Sequence, residues 1–260
     1  MPVSKPARKY ADGADMTRFS YTSDTFSAPA LGLIVLQTDE TIEGDMRAML
    51  SAGARLHVSR VPSGAEVTSE TLDQMAGHLT ASASLLPEAA GFGVVGYGCT
   101  SGTAQIGAAR IASLVQAGIA TPAVTEPVTA LVAACRSLGA TRIAFLSPYV
   151  ASVSERLRSV LSGQGIETPV FGGFDEAEEA KVVRIDGPSI HRAAVDLVRD
   201  HAVDAIFLSC TNLRTLPVIE ALERDLDMPV LSSNQVLAWH MGVLAGEPVS
   251  GPGRLFDAQP

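Results

Sequence analysis

The chain has 260 residues, 47% of them hydrophobic, and a net charge of −9. Its length allows one large domain or two small ones at roughly 150 residues each, and a pI near 5.0 excludes the basic face that nucleic-acid binding needs. Three cysteines without a Cys-x-x-Cys pair, no secretory h-region and no apolar run near the roughly 18 residues that cross a bilayer point to a soluble protein of the reducing cytoplasm, with no nucleic-acid or membrane partner.

Residues 1–28 read as an irregular leader, polar and proline-containing from Met1 to Lys9. From Leu31 onward, short apolar runs alternate with amphipathic segments, the pattern of an α/β fold with parallel sheet. Strands are expected at 31–36, 55–61, 93–97, 142–147, 169–172, 204–209 and 229–231. Helices are expected at about 41–52, 68–86, 102–117, 126–138, 149–163, 188–201, 214–225 and 234–245. The order of elements runs twice, which predicts two pseudo-symmetric lobes over 29–125 and 126–232. Each is a parallel, flavodoxin-like sheet flanked by helices, and the last helix, 234–246, crosses back onto the first lobe. Ligands of open α/β sheets bind at the carboxyl ends of strands, so the active site is expected in the cleft between the lobes.

Two cysteines stand at matching places in this repeat. Cys99 follows Val94-Val95-Gly96-Tyr97-Gly98 and Cys210 follows Ala205-Ile206-Phe207-Leu208-Ser209, and each continues as Cys-Thr-(Ser/Asn) into a helical pattern. A thiol at a strand end and a helix N-terminus meets free N–H groups and the positive end of the helix dipole. Those lower a thiol pKa from about 8.5 towards neutrality. Two such thiols facing one pocket can remove and return protons without a cofactor. Cys135, in the helical pattern Leu131-Val132-Ala133-Ala134-Cys135, reads as a small core residue.

Other motifs give way on context. Gly91-Phe92-Gly93-Val94-Val95-Gly96 matches Gly-x-Gly-x-x-Gly by letter, but it runs through a strand instead of following one. The five histidines lack metal-ligand spacing, so no metal is expected; His240 reads as a packed helix residue. Of three lysines, two lie in the leader, and Lys181 follows the acidic stretch Asp175-Glu176-Ala177-Glu178-Glu179, which argues against a Schiff-base cofactor. That stretch reads first as a solvated helix start and second as a pocket wall.

The paired Cys-Thr-(Ser/Asn) elements in two α/β lobes resemble the aspartate/glutamate racemase superfamily. Gly32-Leu33-Ile34-Val35, Ser147-Pro148-Tyr149-Val150 and Ser209-Cys210-Thr211-Asn212 resemble its maleate isomerase and arylmalonate decarboxylase branch. Val58-Ser59-Arg60-Val61-Pro62-Ser63-Gly64, Gly96-Tyr97-Gly98-Cys99-Thr100-Ser101-Gly102-Thr103 and Ser232-Ser233-Asn234-Gln235 are most similar to the EutA-type proteins of ectoine utilisation. The resemblance covers about 30–245. It implies cofactor-free chemistry by Cys99 and Cys210 on a small carboxylate, and a homodimer. It also implies Tyr149 as a carboxylate-binding residue. Arylmalonate decarboxylases carry glycine in place of the first cysteine, so a chain with both argues against decarboxylation.

Two departures bear on the substrate. Asp39 and, by counting back from Arg184-Ile185, Glu179 fall where maleate isomerases carry asparagine. A carboxylate removes N–H donors and repels a diacid but suits an ammonium group, so a substrate with a carboxylate at one end and an amine at the other is expected, as in a diaminobutyrate-like product of ectoine breakdown. Backbone N–H groups of Thr100, Ser101, Thr211 and Asn212, with the side chains of Ser101 and Asn212, are candidate donors to the substrate carboxylate. The leading expectation is a racemase or epimerase using two-cysteine proton transfer. A cis–trans isomerase with Cys99 as nucleophile is the alternative, and a small-molecule sensor without turnover is the third.

Overall fold

The computed structural model describes residues 19–24, 26 and 28–258, so most of the expected leader lies outside the described residues. The first sheet holds β1 (Ala30–Leu36), β2 (Leu56–Val61), β3 (Phe92–Gly98) and β4 (Val124–Thr125), in the order β2-β1-β3-β4. The second holds β5 (Arg142–Tyr149), β6 (Glu167–Glu176), β7 (Ala205–Leu208) and β8 (Val230–Ser232), in the order β6-β5-β7-β8. All neighbouring strands pair in parallel. Two α/β lobes of one topology result. β1, β7 and the 143–146 stretch of β5 are covered on both faces, which is why they read as apolar runs.

Three expected helices are broken, each at a residue with a local reason. The segment 102–117 divides at Gly107, whose φ of +92° ends the helix Thr100–Ile106 before Ala108–Gly118 begins. The segment 68–86 becomes the helices Ser69–Gln74 and Leu79–Ser84 around a 3₁₀ turn at Met75–Gly77. The segment 214–225 starts as a 3₁₀ turn, Leu216–Val218, with Pro217 where no N–H is needed, and only then becomes the helix Ile219–Leu226.

The lobes are tied by their last helices. The helix Pro127–Leu138 follows β4 yet packs Val128, Leu131 and Cys135 against Phe145, Phe207 and Leu231 of the second sheet. The helix Ser233–Ala245 follows β8 yet packs Leu237, Ala238 and Met241 against Leu31, Leu33 and Val94 of the first. Gly96 admits this helix, because a Cβ there would lie 2.6 Å from Met241 Sδ. The arrangement faces the carboxyl ends of β3 and β7 towards one another. No helix among the described residues is long and apolar enough to cross a membrane.

Candidate active site

Cys99 is the N-cap of the helix Thr100–Ile106, and its Sγ accepts the Gly102 N–H at 3.1 Å. The N–H groups of Thr100 and Ser101, in the first turn, have no partner among the described residues. Gly102 must lack a side chain, since a Cβ would sit 2.8 Å from Cys99 Sγ. Cys135 lies in the core cluster beneath Phe145 and Phe207, as its helical pattern suggested.

Cys210 is held differently from the expectation of a second helix N-terminus. Residues 209–215 form no helix, and Cys210 takes a φ of +111°, a conformation L residues rarely adopt. Its N–H donates to Ser233 Oγ at 3.0 Å and its Sγ accepts the Asn212 N–H at 3.3 Å. Thr100 Oγ1 donates to the same Ser233 Oγ at 2.8 Å, so one hydroxyl ties both cysteine loops. The sequence reading missed Ser233 in this role. Its signal was the capping box of Ser232 and Gln235, which fixes where the last helix begins.

The two cysteines line one cavity with Thr100, Ser101, Tyr149, Glu179 and Thr211, under an apolar roof of Leu36, Val67 and Leu72. Its free space is about 10 Å³, room for about one water molecule. The roof is clamped across the lobes: Val67 N donates to Ala177 O at 3.0 Å and Glu179 N to Ala65 O at 3.1 Å. Glu179 turns inward while Glu176 and Glu178 stay at the surface around Lys181. Its Oε1 accepts from Tyr149 Oη at 2.6 Å and its Oε2 from Asn212 Nδ2 at 2.8 Å. Tyr149 Oη also lies 3.0 Å from Cys210 Sγ.

Two candidate residues stand behind the cavity wall. Asn212 has no side-chain donor left for a ligand: Nδ2 is held by Glu179, and Oδ1 accepts the Glu40 N–H at 2.9 Å. Asp39 Oδ1 accepts the N–H groups of Thr41 and Ile42, both at 2.8 Å, and so caps the helix Ile42–Met49. Its Oδ2 is buried and makes no hydrogen bond; the Thr211 hydroxyl close by favours the carboxylate but donates to Gly98 O at 3.3 Å.

The thiols do not have the lowered pKa expected of them. Burial pushes Cys99 up to about 12, against the Gly102 N–H, and the charges of Glu179 and Asp39 push the same way. Burial and Glu179 likewise hold Cys210 well above the usual thiol range. A helix of seven residues does not offset the loss of water. The carboxyls of Asp39 and Glu179 are also raised, first by burial. Among the described residues no group of side chains is arranged to hold a metal ion, and His240 Nδ1 pairs with Thr125 Oγ1 at 2.7 Å on the last helix.

Two matched α/β lobes closing on a pair of cysteines define a class of cysteine enzymes acting between lobes. The chain belongs to the arylmalonate decarboxylase family, whose model matches residues 31–256. It is 28% identical over 241 residues to a maleate isomerase of Nocardia farcinica, covering 86% of this chain and 92% of the relative. The crystal structure of maleate isomerase from Pseudomonas putida S16 superposes with a TM-score of 0.79 at 27% identity, over 88% of this chain and 98% of that one. A Nocardia farcinica maleate cis-trans isomerase mutant with a covalently bound succinylcysteine intermediate matches equally, with a TM-score of 0.79 at 26% identity over 88% and 98% of the two chains. The chain is a cysteine-based isomerase of this family.

Proposed function

We propose that this enzyme is a cis–trans isomerase of a small unsaturated carboxylate, with Cys99 as nucleophile and Cys210 as proton donor, working without a cofactor. The observation that carries the reading is the convergence of both cysteines on one closed cavity, in a family where a relative holds a covalently bound succinylcysteine. The substrate carboxylate is read onto the free N–H groups of Thr100 and Ser101, where preorganised donors stabilise charge as it develops. Burial is the largest force holding the Cys99 thiol neutral, and in this reaction its proton passes to water that enters the cavity with the substrate. Its thiolate adds to one alkene carbon, the π pair moves to the carbon bearing the carboxylate, and Cys210 gives that carbon its proton. After rotation about the new single bond, Cys210 takes the proton back, the double bond re-forms and Cys99 leaves as thiolate.

Glu179 on the wall, with Asp39 behind it, favours a substrate with one carboxylate and a hydrogen-bond donor at the far end over a diacid. The same charge supports a second reading, two-base racemisation of an amino-acid derivative such as an ectoine-degradation intermediate. Proton NMR in D₂O with maleamate, maleate and 2,4-diaminobutyrate separates them. Conversion of maleamate to its trans isomer supports the first reading. Inversion of diaminobutyrate with deuterium at the α-carbon supports the second, and thermal stabilisation by an acid that is never turned over supports the sensor.

A further inference from the structure

In a closed cavity with room for about one water molecule, the side chains beside Cys210 set where its proton can move. Among the described residues the ionisable groups that bear on Cys210 are Tyr149, Glu179 and Asp39, none of them a cation. Tyr149 Oη stands 3.0 Å from Cys210 Sγ and 2.6 Å from Glu179 Oε1, and all three side chains are buried. A phenol has one proton and two lone pairs. Donating to the carboxylate, it leaves a lone pair facing the thiol S–H.

We propose that Glu179 is the proton store of Cys210, reached through the Tyr149 hydroxyl. The Cys210 proton moves to Tyr149 Oη as the Tyr149 proton moves to Glu179 Oε1, so one S–H and one O–H bond break and two O–H bonds form. The chain's single negative charge passes from carboxylate to sulfur. The reverse shift restores the thiol. Asn212 Nδ2, at 2.8 Å from Oε2, fixes the carboxylate so that Oε1 faces the tyrosine. Tyr149 and Glu179 then act on the cysteine instead of holding the substrate, as the sequence had suggested. Four ionisable groups face Glu179 from the neighbouring elements: Tyr149 at the end of β5, Cys210 after β7, Cys99 after β3 and Asp39 after β1.

The inference rests on the reading of Cys210 as the proton-transfer group, but its test needs no substrate, so failure here leaves the isomerase reading standing. The probe is methyl methanethiosulfonate, small and uncharged, with the rate at each cysteine followed by peptide mass spectrometry across pH in the full-length protein. With the relay, the Cys210 rate rises as Glu179 ionises, stays flat, and rises again when the thiol itself titrates. Tyr149→Phe and Glu179→Gln, each checked for folding by circular dichroism, remove the lower step and lower the neutral-pH rate at least tenfold, while Cys99 keeps a single rise. Electrostatics alone predicts the opposite for Glu179→Gln, a faster Cys210 reaction at neutral pH, since the carboxylate's charge holds the thiol up. A single rise for Cys210 in the unaltered protein, or a Tyr149→Phe profile identical to it, overturns the proposal.

Discussion

At the scale of single residues, both cysteines are set against the medium around them. Cys99 combines an N-cap position with full burial, and burial wins, which places its thiol at about 12. In the ligand-free protein its alkylation by iodoacetamide is therefore slow at pH 7 and rises about tenfold per pH unit up to pH 10, where a thiol near pH 7 would already have levelled off. Cys210 carries strain as well. Its φ of +111° costs on the order of 1–3 kcal/mol for a residue with a Cβ. Cys210→Gly, which relieves that strain, is expected to be about 1 kcal/mol more stable than Cys210→Ser in urea titrations, with turnover impaired in both variants. Equal stabilities would mean that Ser209 and Thr211 hold the loop without strain. The cysteines themselves were legible in the sequence because their local pattern repeats. The raised pKa was not, since desolvation depends on the roof residues Leu36, Val67 and Leu72, which come from other elements.

At the scale of elements, strand ends and helix starts position the candidate site. The short helix Thr100–Ile106 presents two free N–H groups and one bonded to sulfur, and Gly102 makes the approach possible. Gly102→Ala puts a methyl group 2.6 Å from Tyr97 Oη and 2.8 Å from Cys99 Sγ. Overpacking of this kind costs about 1–3 kcal/mol, and moving the nucleophile is expected to lower kcat at least a hundredfold. Thermal melts and turnover of the same variant check both; full activity would show that Cys99 is not positioned by this turn. Long periodic segments such as Pro127–Leu138 and Ser233–Ala245 were readable almost to the residue. The breaks were not: Gly107 looks like any helix glycine until its φ of +92° is known, and β4 has only two residues. Glu179 was placed by counting, whereas its inward turn beside surface-facing Glu178 follows from the clamp between Ala65 and Glu179.

At the scale of the whole molecule, the exchange of final helices makes two lobes behave as one unit. Leu237 comes from the second half of the chain and is buried in the core of the first lobe. Leu237→Ala is expected to cost about 2–5 kcal/mol and to leave a single unfolding transition by calorimetry. Two separated transitions would contradict the coupling. The cleft is fixed by this exchange, because Ser233 at the start of the second exchanged helix holds both cysteine loops. In the proposed reaction Cys99 and Cys210 act as nucleophile and proton donor on one substrate. Its most direct test incubates Cys210→Ser with maleamate and locates any adduct by peptide mass spectrometry. General-acid catalysis contributes about a hundred- to ten-thousandfold, so the variant should fall by that much in turnover and carry one substrate mass on Cys99 and none on Cys135. Unimpaired turnover by Cys210→Ser, or no adduct on its Cys99 although the unaltered protein isomerises maleamate, would contradict it.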